Sequence, residues 1–437
     1  MPSGIVIAAP ASGSGKTTVT LALLRLLSRE GRSAAAFKTG PDYIDGAFHR
    51  TACGGRPCYN LDAFAMRPET VAATLATGIA EAELAVIEGA MGLFDGAADG
   101  SGSTADLAGR LGLPVILVID AARQSQSVAA LVHGFRSFRP EVTVSGVILN
   151  RVASPRHEAL LRAALRQIDM PLLAALPAQD DLQLPSRHLG LVQAEETGHL
   201  DLFLDSAADW LHRHLDRAGF EQALAPLPAM VPAAGLRPLP PLGQRIAVAR
   251  DAAFAFSYAH LLQGWREQGA SLSFFSPLHD DAPDATADAI FLPGGYPELH
   301  AARLAGNRVL MQGLRTAAAR QAAIYGECGG FMLLGRNLTD AEGHSHTMAG
   351  LLPVATSFAT RQRQLGYRRI TALADTPLGP AGSRFRGHEF HYSVQSSENG
   401  ATAPLFAATD AAGTALGALG CRQGSVFGSY LHLIDRE

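Results

Sequence analysis

The first half of the chain alternates short, wholly apolar runs with amphipathic stretches. GIVIAAP reads as a buried strand. TTVTLALLRLLSRE, with apolar residues three and four apart, reads as the helix behind it. SAAAFK, ELAVIEGA, PVILVID and VSGVILN repeat the strand pattern, separated by amphipathic segments such as QSVAALVHGFRSF. Strands that are apolar on both faces and spaced by helices predict a mainly parallel sheet covered on both sides.

This pattern decays after residue 220. The stretch Ala225 to Gln244, APLPAMVPAAGLRPLPPLGQ, holds six prolines and two glycines. That density excludes helix interiors and central strands and predicts a linker. RIAVAR then opens a second alternation that continues through FFSPL, AIFLPGG and AAIYGEC. The expected organisation is α/β throughout, with a first domain over 1–224, a linker over 225–244 and a second domain over 245–437. No internal repeat or low-complexity segment interrupts it.

Composition narrows the class. The 437 residues exceed what one hydrophobic core usually serves. Apolar residues make up 47% and charged residues 17%, as in soluble globular proteins, and a net charge of -4 carries no nucleic-acid footprint. No apolar run is long enough to span a bilayer, and MPSGIVIAAP has no basic leader, so a cytoplasmic chain is expected. Cys53, Cys58, Cys328 and Cys421 fit no zinc spacing, and such a chain would keep them reduced.

The segment between the first strand and first helix carries the first chemistry. Pro10-Ala11-Ser12-Gly13-Ser14-Gly15-Lys16-Thr17-Thr18 resembles a phosphate-binding loop with Pro10 where the first Gly belongs. Gly13, Ser14, Gly15 and Thr18 would cradle phosphate with backbone N–H groups at a helix N-terminus. Lys16 would reach the β- and γ-phosphates of ATP, and the Thr17 hydroxyl would ligate Mg²⁺. Further oxygen ligands are expected at the C-terminal ends of parallel strands, where Asp42, Asp45 and Glu88 stand. Lys38 ends the second strand and is placed to neutralise transferring phosphate charge. Asn150 ends VSGVILN as a candidate to read the base edge.

The second chemistry lies near the end of the chain. YGECGGFM puts Cys328 between glycines after a strand and before a helix, the pattern of a nucleophile elbow. The helix N-terminus is expected to lower the thiol pKa. FLPGGYPEL places Gly294 and Gly295 after another strand, where backbone N–H groups form an oxyanion hole. SVFGSYLHLID ends a strand-like run at His432, the candidate base.

These motifs together carry a resemblance. KTGPDYID, EGAMGLFDG, LPGGYPEL, ECGGFM and GHEFHYS resemble the cobyrinic acid or hydrogenobyrinic acid a,c-diamide synthase family over almost the whole chain. The resemblance implies a dethiobiotin synthetase-like P-loop NTPase domain followed by a class I glutamine amidotransferase domain of flavodoxin-like fold. It implies ATP- and L-glutamine-dependent amidation of two acetate carboxylates on a corrin-ring acceptor, with Mg²⁺ and no nucleic-acid or membrane partner. A homodimer is also implied. Within its motifs, Asp42, Tyr43, Ile44 and Asp95 are candidate acceptor-binding residues. Class I amidotransferases usually carry a Glu two residues after the His. Here that position is Ile434, which leaves Asp435 and Glu389 as candidates for the third member of the triad. Two rivals stand beside this reading. One is the same chemistry on nickel-sirohydrochlorin or another tetrapyrrole. The other is a P-loop switch ATPase with a non-catalytic amidotransferase-like domain.

Overall fold

Ser3–Ala8 (β1) is a strand whose side chains from Ile5 to Ala8 are essentially inaccessible to solvent, because helices cover both faces of its sheet. The phosphate-loop segment follows, and Lys16–Arg29 (α1) begins at Gly15, which takes a left-handed conformation. The first unit continues with Ala34–Thr39 (β2), Asp45–Ala52 (α2), Tyr59–Leu61 (β3), Leu84–Glu88 (β4), Val115–Asp120 (β5), Val144–Val152 (β6) and Leu172–Pro177 (β7). The strands run parallel in the order β3-β2-β4-β1-β5-β6-β7. Each expected strand of the first half is present, and β3 and β7 add to them. The order reverses direction around β1, so the loop after β1 opens at the topological switch point, where such sheets bind ligands. Register does the rest: Lys38 of β2 pairs with Glu88 of β4.

This computed structural model describes residues 2–179, 181–182, 186–187, 190–191, 193–228, 235–397 and 403–437. The chain divides into two compact units. One comprises Met1–Phe64, Val71–Gly96 and Gly100–Ala233, and the other Ala65–Thr70, Ala97–Asp99 and Ala234–Glu437. Ala225–Pro226 pairs antiparallel with β1, so the first residues of the expected linker belong to the first unit's sheet. Residues 229–234 of that linker lie outside the described residues.

The second unit is built on a six-stranded sheet. Its order is Ser271–Phe275, Arg245–Ala249, Ala289–Leu292, Ala323–Glu327, Val426–Ser429 and Cys421–Gln423, parallel except for the last pair. The α/β expectation holds for this sheet. A five-stranded antiparallel sheet accompanies it, in the order Ala415–Leu419, Phe406–Asp410, Gln364–Ala372, Arg384–His391 and Leu431–Arg436. The apolar run SVFGSYLHLID is therefore two strands. Val426–Ser429 closes on the Cys328 strand of the first sheet, the chain turns at Tyr430, and Leu431–Arg436 enters the second sheet with His432 inside it.

Candidate active sites

The phosphate loop of the first unit is held from several sides. Lys16 Nζ donates to the Met91 carbonyl at 2.8 Å. Burial, and then the Lys38 ammonium nearby, hold its pKa below the usual lysine value. The Asn150 amide donates to the Ser14 carbonyl at 3.0 Å, and its carbonyl oxygen accepts from Arg151 N–H at 2.9 Å. Gly15 is required there: a Cβ would lie 2.2 Å from Asn150 Nδ2, at a φ of +92°. Asn150 thus braces the loop in this structure. Thr18 lies in the first turn of α1, half-buried beside Thr17.

Oxygens converge below the loop. Thr17 Oγ1 donates to Glu88 Oε1 at 2.7 Å and stands 3.4 Å from Asp45 Oδ2. Lys38 Nζ sits between Asp45 Oδ2 at 2.6 Å and Glu88 Oε1 at 2.7 Å, with Asp42 Oδ2 at 3.7 Å. Burial alone would raise Glu88, but Lys38 and His49 outweigh it and hold the carboxyl far below the carboxylate range. Burial likewise works against the Lys38 ammonium, and the surrounding carboxylates hold its pKa well above the usual value. Burial, and then the Asp42 charge, push Asp45 up. Among the described residues no set of three His, Cys, Asp or Glu side chains has metal-holding geometry, and Lys38 stands among these oxygens. The donor set nonetheless fits a hard divalent cation: a hydroxyl and three carboxylates stand against the Lys38 and Lys16 ammonium groups, leaving one more negative than positive charge among them.

One residue of this cluster was not read from sequence. His49 Nε2 meets Glu88 Oε2 at 2.6 Å with both side chains fully buried, and Cys58 Sγ lies 3.6 Å behind it at Nδ1. A His one turn into the helix after KTGPDYID was the available signal. The acceptor candidates separate. Asp42 Oδ1 accepts from the N–H groups of Ile44 and Asp45, shaping the turn into α2. Asp95 Oδ2 accepts from Gly92 N–H at 2.8 Å. Tyr43 is half-buried and Ile44 is buried.

In the second unit, Ala323–Glu327 ends at Cys328, whose φ of +46° and ψ of -103° give the sharp turn of an elbow. The Cys328 N–H donates to the Ser429 carbonyl at 2.8 Å, which fixes the turn to the neighbouring strand. A Cβ on Gly294 would lie 2.5 Å from His432 Cε1 and 3.3 Å from Cys328 Cβ. The turn after Leu292, Cys328 Cβ and the imidazole therefore converge, and the bare glycine is what lets them, while the thiol itself lies 4.0 Å from the Phe390 carbonyl. Gly295 packs equally close, its missing Cβ pointing 2.1 Å from the Ala253 carbonyl.

The expected low thiol pKa is corrected. Burial, and then the nearby Glu298 charge, raise Cys328 above the usual thiol value, while the Gly329 N–H opposes them only in part. The helix that follows, Gly329–Leu334, is too short to reverse this. Burial also pushes His432 down to about 3. The resting pair is a thiol and a neutral imidazole, the form in which His accepts a proton. His388 of Arg384–His391 stacks on that imidazole, ring centroids 4.6 Å apart and planes 5° from parallel.

The two candidates for a third member are engaged elsewhere. Asp435 accepts from Arg67 through its backbone N–H at 2.9 Å and its guanidinium at 2.9 and 3.1 Å. Glu389 pairs with Arg368 at 2.9 Å and His391 at 2.8 Å. Glu327 Oε2 stands 3.8 Å from His432 Nδ1, and the Glu389 charge also acts on this ring. Burial pushes Glu327 up to about 8.

Similarity to known proteins covers both units. The sequence model of the CobQ/CobB/MinD/ParA nucleotide binding domain matches residues 5–192, and that of the CobB/CobQ-like glutamine amidotransferase domain matches residues 245–437. Curated relatives include the hydrogenobyrinate a,c-diamide synthase of Brucella abortus biovar 1 (strain 9-941), 55% identical over 434 residues, which are 99% of this chain and 98% of that one. The protein of the same name from Rhizobium meliloti (strain 1021) is 54% identical over 99% of both chains. That from Rhodobacter capsulatus is 50% identical, again over 99% of both. With such identity along its full length, the chain belongs to the hydrogenobyrinate a,c-diamide synthase family.

Proposed function

We propose that this chain uses ATP and glutamine to amidate the a and c acetate carboxylates of hydrogenobyrinate. The observation that carries the glutamine half is the convergence of Gly294, Cys328 and His432 around a left-handed elbow. The family's name supplies the acceptor and the product.

In the second unit, Cys328 attacks the side-chain amide carbon of glutamine as its proton passes to His432. Backbone N–H groups of the Gly294–Gly295 turn meet the developing oxyanion. The proton returns to the departing nitrogen, ammonia leaves, and water hydrolyses the remaining thioester to glutamate. In the first unit, Lys16 and the loop N–H groups hold the triphosphate. An acceptor carboxylate attacks the γ-phosphorus, ADP leaves, and an acyl phosphate forms. Thr17, Asp45 and Glu88 would hold Mg²⁺, which screens phosphate charge when bound. Lys38, freed from one carboxylate, offsets the charge that builds on the transferring group. Ammonia then attacks the acyl carbon and phosphate leaves. The two chemistries need each other, because a carboxylate is a poor acylating agent and ammonium is not a nucleophile. A homodimeric assembly and a cytoplasmic location belong to the same reading.

Cys328→Ser tests it. Glutamine-dependent amidation should vanish, and amidation with ammonium as nitrogen source should persist. Loss of both would make Cys328 a structural residue and end the reading.

A further inference from the structure

We propose that Glu327 is the positioning carboxylate for His432, the role left open by Ile434. This rests on the reading of Cys328 as the glutaminase nucleophile. Glu327 ends the strand Ala323–Glu327 and is only 2% exposed. Its Oε1 accepts twice, from the Tyr325 hydroxyl at 2.9 Å and from Leu433 N–H at 3.0 Å. Those two donors lock the carboxylate from its own strand and from the His432 strand. They leave Oε2 for the imidazole, 3.8 Å from Nδ1. That gap is longer than a hydrogen bond, as catalytic contacts often are before substrate binds. The opposite edge of the ring, Cε1 and Nε2, faces Gly294 together with Cys328.

This role calls for one tautomer. A proton on Nδ1 points at Oε2 and leaves the Nε2 lone pair for the thiol. In the attack, sulfur bonds the amide carbon and the thiol proton moves to Nε2. The ring then carries protons on both nitrogens and one positive charge in a dry site, with the carboxylate beside it to balance that charge. When the C–N bond breaks, the Nε2 proton leaves with ammonia. Glu327 neither gains nor loses a proton. Asp435 and Glu389 cannot take this part while Arg67, Arg368 and His391 hold them.

The test uses the full-length chain and compares Cys328→Ser, Glu327→Gln, Glu327→Asp and Tyr325→Phe. Glu327→Gln keeps shape and removes charge. Its glutaminase kcat should fall about 100-fold with KM nearly unchanged, and ammonium-driven amidation should persist. Glu327→Asp should recover part of the loss. Should Glu327→Gln prove unstable, Tyr325→Phe decides: it loosens the carboxylate, and kcat should drop about fivefold in chains that remain folded at the assay temperature. Glutaminase activity surviving in Cys328→Ser would sink the reading of the thiol itself. Activity lost in Cys328→Ser but parental in Glu327→Gln, or in Tyr325→Phe where that variant decides, would overturn only the role of Glu327.

Discussion

His49 and Glu88 meet at 2.6 Å with neither side chain exposed. The imidazole occupies Oε2, so Oε1 is the oxygen turned to Thr17 and Lys38. His49→Ala should strand a buried charge and reduce ammonium-driven amidation by roughly tenfold or more. His49→Gln, which can still donate, should recover most of it. Equal rates in both variants would make His49 a packing residue.

Glu88→Gln removes the charge that both Thr17 and Lys38 contact. Amidation should fall by roughly 1,000-fold, because phosphoryl transfer depends on placed charge more than on covalent help. Glutaminase turnover at Cys328 should remain. Near-parental amidation would shift the ligand role to Asp45.

The pH profile of glutaminase should show one rising limb across neutrality. Burial holds His432 near 3, so it stays neutral, and raises the Cys328 thiol, so it stays protonated. The remaining group is Glu327, pushed up to about 8. It is active as the carboxylate, so activity should climb as pH rises from about 6 toward 9. The groups facing His432 and Glu327 are Tyr325, the Leu433 N–H, the stacked His388, and His391 and Glu389, with Glu298 beside the thiol. His388 is itself held neutral by burial and by His432. In Glu327→Gln the residual activity should be flat over that range.

Gly294→Ala should cost glutaminase about 100-fold without harming ammonium-driven amidation. The added methyl meets His432 Cε1 at 2.5 Å and must displace the ring. A fully active variant would mean that the ring has room to move.

Much of this was legible in the sequence, because it is local. The buried strands, the loop before Lys16 and the Cys328 elbow each announce themselves within a dozen residues. The antiparallel sheet did not, because strands such as Gln364–Ala372 are half exposed and carry mixed polar residues. Glu327 was hidden by the rule that neighbours on a strand face opposite ways. The left-handed backbone at Cys328 breaks that alternation and lets both residues serve one imidazole. The Asn150 brace and the raised thiol pKa depend on three-dimensional burial, which no motif encodes.

The turn at Tyr430 has a consequence for which changes the chain tolerates. Ser429 is tied to the Cys328 N–H, and only Tyr430 and Leu431 separate it from His432. Adding or deleting one residue there would turn the imidazole to the other face of its strand, while the pairing within each sheet could re-form around it. This stretch therefore acts as a ruler. It accepts substitutions of similar size but not a change of length, and a scan of single-residue insertions and deletions across 429–432 should yield folded chains that have lost the base from beside the thiol.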